Sequence, residues 1–387
     1  MNARGEPVGR AGYPVMPLRV LALYHRAETF GGSFNSVVDV AERLDRRRFD
    51  VVAAVPGPGN AAQAFAGRGL QTTFAEEMAG RQHPAYAVSV ARWAWRLKAL
   101  RIRLVYVTDY VTWRSSALLA ARVVGIPRVV HVRAPMPSEG LDPELLKATV
   151  VLGNSRASVR SLLDRPDGPN VRVVYNFIDF TPFEKAQDRR AALFPQGGLV
   201  VGFLGVFRPE KGIEFFLEMA RQLAAKRSDV RFLLVGGESA VADIGWLSTM
   251  KALADELGIA DRCVFTGERT DVADMMKSMD VLIVPSLNEG FGRVIVEANA
   301  VGIPVVGADA AGIPEVIEDG VTGWLVPPRD AEAMAAAVGR ILDDEAWRRK
   351  VAETAPIRVR ERFSAMAQMR LLEQAFDDAL GEAATKA

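Results

Sequence analysis

Short apolar runs alternate along this chain with longer segments of mixed apolar and polar residues, and the alternation happens twice. Residues 18–24 (LRVLALY), 51–55, 104–107, 129–132, 150–152 and 171–175 read as strands, with helices predicted over 35–46, 115–124 and 155–163. The pattern restarts at 199–204 and continues through 231–235, 263–266, 281–284 and 305–307. Helices are predicted between and after these runs, over 213–226, 246–257, 272–278, 294–300 and 331–342. Predominantly apolar strands separated by helical segments describe βαβ units around parallel sheets covered on both faces. The expected fold is α/β, with two tandem doubly wound domains that hold a ligand at the carboxyl ends of their strands.

The domain expectation follows from the punctuation. Residues 181–197 carry prolines, a glycine pair and scattered charges and read as a connection, between a first domain over 18–180 and a second over 198–362. A last helix over 363–380 is expected to pack back on the first domain. Residues 1–17 place Arg4, Glu6 and Arg10 among Gly and Pro, lack the apolar middle of a signal peptide, and read as a loose tail. A single cysteine, Cys263, excludes an internal disulfide.

Charge changes the picture more than composition does. The net charge is +1, but residues 1–195 hold 27 Lys and Arg against 17 Asp and Glu, while residues 196–387 hold 21 against 30. A first half at +10 and a second at −9 suggest that the first meets something anionic. Residues 85–104 (AYAVSVARWAWRLKALRIRL) combine Trp93 and Trp95 with five basic residues. Such a helix suits an anionic membrane surface, and it equally suits a core-packed helix with a solvated basic face.

Candidate chemistry concentrates at residues 285–304, PSLNEGFGRVIVEANAVGIP. A buried run ends there and a helix begins, with the turn Gly290-Phe291-Gly292 between two carboxylates, Glu289 and Glu297. Glycines let backbone approach a ligand, and the free N–H groups of a helix start favour an anion. Carboxylates there suit the hydroxyls of a sugar and a ribose on either side of a diphosphate. For Glu297 an i,i+4 pair with Arg293 is a competing explanation, and for Glu289 a helix cap is. No D-x-D triplet occurs to supply a metal-bridged diphosphate site, and Gly57-Pro58-Gly59 lacks the third glycine of a dinucleotide fingerprint.

These loops, taken in order, resemble those of the retaining glycosyltransferases of family 4, which have the GT-B fold of two Rossmann-like domains facing a central cleft. The most specific element is P-S-x-x-E-G-F-G-x-x-x-x-E, with the family's paired glutamates at Glu289 and Glu297. Gly205 to Gly212 (GVFRPEKG), residues 174–179 and residues 311–328 support it. The resemblance implies that Glu289 contacts the donor sugar and that Glu297 accepts from the ribose. It implies that Lys211 supports the departing diphosphate. Arg208, Gly290, Phe291, Gly292 and Gly32 would line the diphosphate, and Gly205, Gly236, Gly267 and Glu268 the nucleotide. His131 matches a histidine that contacts the donor sugar, although a histidine ending a buried strand is also an ordinary core residue. Gly31, Gly32 and Arg133 fall on the acceptor side.

The chain departs from the family in three places. Val206 stands where an arginine follows the first glycine, Phe177 replaces a glycine in the YNFID run, and the G-x-G of the nucleotide loop is Gly236-Gly237-Glu238. The expected activity is transfer of a hexose-type unit from a nucleotide diphosphate sugar to a hydroxyl of a glycan, glycolipid or small molecule. No metal or other cofactor is expected. A cytoplasmic protein, peripheral on the inner face of the cell membrane, would fit the basic helix. An epimerase or phosphorylase of the same fold, or a non-catalytic nucleotide-sugar-binding protein, are the alternatives.

Overall fold

A computed structural model describes residues 17–24, 31–74, 83–108, 115–137, 139, 141–163, 165, 168–238 and 245–386. The expected tail, apart from Pro17, lies outside these residues. The chain forms two compact units. One comprises residues up to 154, 159–174 and from 368 onward; the other comprises 155–158 and 175–367.

The first unit is built on a seven-stranded parallel sheet. Its strands are β1 (Leu18–Leu23), β2 (Phe49–Val55), β3 (Gln71–Phe74), β4 (Leu104–Thr108), β5 (Arg128–Val132), β6 (Val150–Gly153) and β7 (Asn170–Val173), in the order β3-β2-β1-β4-β5-β6-β7. The inner strands are buried on both faces, as the unbroken burial of β4, β5 and β6 shows. That is why they read as continuous apolar runs rather than alternating ones. The edge strand β3 (QTTF) is half-exposed and polar, and its sequence gives no such run.

The helix Ala365–Lys386 completes this unit. Phe376 is fully buried, with its ring edge-on to Phe49 and Tyr106 at 5.7 and 5.3 Å between centroids. Arg48 reaches Glu373 and Asp377 on the same helix, at 2.9 and 2.5 Å.

The second unit repeats the plan with six parallel strands. They are β8 (Leu199–Leu204), β9 (Val230–Val235), β10 (Cys263–Phe265), β11 (Val281–Val284), β12 (Val305–Ala308) and β13 (Gly323–Val326), in the order β10-β9-β8-β11-β12-β13. A ladder of edge-on rings, Phe207, Phe203, Phe216 and Phe232, fills one face of this sheet. The edge strand β13 and the helix Glu345–Phe363 are additions to the sequence reading. The helix has Pro356 inside it and an evenly mixed pattern, so periodicity does not mark it. Residues 181–197, expected as a connection, carry short helices at Thr181–Glu184 and Arg190–Leu193 and belong to the second unit. Among the described residues no helix is long and apolar enough to cross a membrane.

In both sheets the order reverses beside the first strand, between β1 and β4 and between β8 and β11. Loops diverge to opposite faces at such a point and leave a crevice at the carboxyl ends. The docking of the last helix gives a test. Phe376→Ala should destabilise the first unit by about 3–5 kcal/mol, read as faster hydrogen exchange of the β4 amides. Unchanged exchange would show that the helix contributes nothing to this core.

Candidate functional site

The second unit brings most of the sequence-predicted residues to one place, the carboxyl ends of β8 to β12. The turn after β8 is a single 3₁₀ turn, Pro209–Lys211, closed by Gly212 in the left-handed region at φ 66°. A side chain on Gly212 would have its Cβ 2.5 Å from the Pro285 carbonyl oxygen, so only glycine lets the loops after β8 and β11 touch. The amide of Leu287 then donates to the Glu210 carbonyl at 3.0 Å. With the two backbones fixed, the Lys211 ammonium forms an ion pair with Glu289 Oε1. Ser286, 2% exposed, donates its hydroxyl to the same oxygen at 3.2 Å.

Ser286 was not among the residues singled out from the sequence. Its signal was there, a hydroxyl three residues before Glu289 in the P-S-x-x-E run. From the far side, the amide of Gly312 donates to the Glu289 carbonyl at 2.8 Å. The backbone carrying Glu289 is therefore held by two neighbouring loops.

Glu297 lies on the helix Arg293–Ala300, whose cap, Gly292, has φ 81° and offers no side-chain acceptor. Its carboxylate accepts from Arg293 Nε at 2.6 Å, four residues earlier. Burial pushes its pKa up, and the Arg293 charge opposes the rise. Phe291 is buried at 2% between Tyr175 and Phe363, with centroids 5.8 and 5.3 Å away. Only its backbone is thus left for the diphosphate role expected of it, because the ring is part of the core.

A second knot forms across β8, β9 and β10. Gly236 has φ 138°, and a Cβ there would lie 1.9 Å from the Gly205 carbonyl oxygen, while its own amide donates to the Gly267 carbonyl at 3.0 Å. Gly205, Gly236 and Gly267 therefore meet backbone to backbone, with the exposed Glu268 side chain lying over Gly237. Arg208 pairs with Glu210 at 3.2 Å, and Val206 is 43% exposed beside it. Glu315 of the G-x-P-E turn accepts from the amides of Arg156 and Ala157, both at 2.8 Å, and from the Tyr175 hydroxyl at 3.2 Å. Its carboxylate ties the backbone at Arg156 and Ala157 and the side chain of Tyr175 to this turn.

In the first unit the sequence-predicted residues fare differently. Gly31 and Gly32 are the first two residues of the helix Gly31–Arg43 rather than a loop, and residues 25–30 before them lie outside the described residues. His131 is not at an open rim. It is 2% exposed, with Nδ1 2.9 Å from the Tyr106 hydroxyl and 3.3 Å from Arg133, and Nε2 3.2 Å from the Val174 carbonyl. Both ring nitrogens are engaged within the unit, as in an ordinary core histidine. In the helix Tyr86–Ala99, Trp93 is fully buried and Trp95 is 71% exposed, so the core claims one of the two tryptophans. Among the described residues no three His, Cys, Asp or Glu side chains are grouped to hold a metal.

Two tandem doubly wound units with glycine-rich crossings at their strand ends define the GT-B fold class. The chain belongs to the family 4 glycosyltransferases: a model described as Glycosyl transferases group 1 matches residues 184–358, and one described as Glycosyltransferase Family 4 matches 30–181. It is similar to D-inositol 3-phosphate glycosyltransferase of Mycobacterium marinum, at 33% identity over 219 residues, 55% of this chain and 46% of that protein. The chain spans about half the length of the curated relatives it matches. Among solved structures, HepE of Anabaena in complex with UDP has TM-score 0.78 at 22% identity, covering 93% of this chain and all of that one. A glycosyltransferase of Rickettsia africae has TM-score 0.80 at 18% identity, covering 94% and 99%. At these identities the structural likeness shows the fold alone.

His131 yields a prediction with a definite sign. Burial, then the Arg133 charge, hold the folded ring's pKa well below 6.5, while the unfolded ring takes up its proton near that value. The unfolded state binds more protons below about 6.5, so stability is lost as pH falls through that value. Denaturant titrations between pH 7.5 and 5.5 should show this loss, and His131→Asn should flatten it. An unchanged slope would mean that the ring titrates normally and is not held neutral.

Proposed function

We propose that the chain transfers a hexose-type sugar from a nucleotide diphosphate donor to a hydroxyl, with retention of anomeric configuration. The observation that carries this reading is the Lys211–Glu289 pair at the β8/β11 crossing. A cation and a carboxylate stand side by side there, at the point of a doubly wound sheet where ligands bind. In the free chain each neutralises the other. With donor bound, Lys211 turns to the diphosphate, and Glu289, still held by Ser286, accepts from sugar hydroxyls.

When the bond from the anomeric carbon to the diphosphate oxygen breaks, its electron pair goes to that oxygen. Lys211 and the N-terminus of the helix Arg293–Ala300 lower the energy of the charge that develops. The acceptor oxygen forms the new bond on the same face, and its proton passes to the departing phosphate oxygen. Glu297 receives the ribose hydroxyls, with Arg293 as its partner in the free chain. The counter-charges in this scheme are protein groups, and it calls for no metal. His131 serves as framework, holding β5 to the segment after β7. The Anabaena protein crystallised with UDP and with UDP-glucose supports a uridine donor. The name of the M. marinum relative and the basic first half support an anionic acceptor such as a phosphorylated polyol.

Release of free nucleotide diphosphate from UDP-glucose, dependent on added acceptor, tests the reading. Lys211→Ala and Glu289→Gln should each lower the rate by ~10²–10³, as expected for loss of one transition-state contact, with unfolding little changed. Full activity in both would overturn the assignment.

The face carrying Trp95, Val88 and Arg92 supports attachment to an anionic membrane surface. Trp95→Ser should reduce co-sedimentation with vesicles containing phosphatidylglycerol. Equal sedimentation of the two proteins, or none with either, would remove the membrane from the reading.

A further inference from the structure

The opposite edge of the first unit's sheet, where β5, β6 and β7 begin, holds a cavity of about 470 Å³. Arg122, Arg128, Lys147, Thr149, Asn170 and Glu382 line it, with Gly125 and Gly168 leaving parts of the wall bare of side chains. It lies at the amino ends of the strands, whereas the proposed transfer chemistry uses carboxyl ends in the other unit.

Behind this cavity is a charge arrangement that the fold alone does not require. Glu144 is fully buried at the start of the short helix Pro143–Leu146. Arg122 already matches it with a two-pronged contact, both nitrogens at 2.9 Å. One guanidinium in that geometry is enough to neutralise one buried carboxylate. A second, Arg128, nevertheless stands 3.4 Å from the same carboxylate. Arg128 is only 6% exposed; one terminal nitrogen donates to the Lys147 carbonyl, and its Nε is buried with no hydrogen-bond partner.

Burial pushes the Arg128 pKa down to about 10, the Glu144 charge opposing this and the Arg122 charge adding to it. Arg122 reaches solvent, with 39% of its side chain exposed, whereas Arg128 is buried and keeps a donor, Nε, that no protein group answers, which is costly unless a ligand acceptor does. Lys147, exposed at the rim, adds a third cation. Among the described residues the charged groups on the cavity wall are these three cations and one carboxylate, Glu382.

The geometry points to this cavity as a second binding site, for a small soluble phosphate monoester. Guanidinium and ammonium groups recognise phosphate oxygens, and the volume exceeds what a bare phosphate fills. Thr149 and Asn170 on the same wall supply polar partners for a hydroxylated body. Glu382 disfavours ligands of higher negative charge, which is why a monoester fits better than a polyphosphate.

The experiment is isothermal titration of the full chain with glycerol 3-phosphate at fixed ionic strength, using three proteins. The unaltered chain should bind saturably, and Lys147→Glu, an exposed position that folding does not depend on, should weaken binding at least tenfold. Lys211→Ala should bind like the unaltered chain, which separates this site from the proposed donor site. Absence of saturable binding overturns the inference. Binding that survives Lys147→Glu but is lost in Lys211→Ala also overturns it, by assigning the ligand to the other unit.

Discussion

The contact on which the candidate site depends is between backbones. The loop after β8 passes under the Pro285 carbonyl so closely that residue 212 has no room for a Cβ, and its left-handed turn aims the preceding lysine at the neighbouring loop. Strand order makes this possible, because β8 and β11 are neighbours whose following segments leave in opposite directions. Everything polar at the site follows from that approach. The Glu210–Leu287 hydrogen bond, the Lys211–Glu289 pair and the Ser286 contact are all within reach only once the loops touch.

The two units treat buried charge in different ways. In the second, Glu289 and Glu297 each pair with one cation at the strand ends, Lys211 and Arg293, whose side chains are 24% and 40% exposed. In the first, Glu144 sits in full burial under two guanidiniums, and His131 is kept neutral between Tyr106 and the Val174 carbonyl. A cation that reaches solvent can leave its carboxylate at less cost than a buried one. A fully buried group gains from partners that never change, since an unpaired charge there is expensive.

Legibility in the sequence followed local composition. Eleven of the thirteen strands leave predominantly apolar runs, the edges β7 and β10 among them; the two missed are the other edges, β3, whose QTTF is polar, and β13, four residues that start on a glycine. The motif residues were readable for another reason. Glu289, Lys211 and the glycines stand at strand ends in short, fixed spacings, and Gly212 and Gly236 are glycines because the crossing backbones leave no room for a Cβ. His131 faces inward, although a residue near a strand end can face either way. Its direction is set by Tyr106, 25 positions earlier, and by a carbonyl 43 positions later. Phe291 sat within the motif, yet its ring belongs to a cluster with Tyr175 and Phe363 that no local pattern announces.

The sequence by itself determined the two-fold repetition of α/β units, the loops that hold the motif residues and the family they resemble, because these rest on local composition and short spacings. Tertiary structure decided which charges meet. Lys211 and Glu289 are 78 residues apart, and Arg122, Arg128 and Glu144 come from three different elements. Pairings of that kind depend on strand order and on how close two backbones can come, and neither is written in any one segment of the chain.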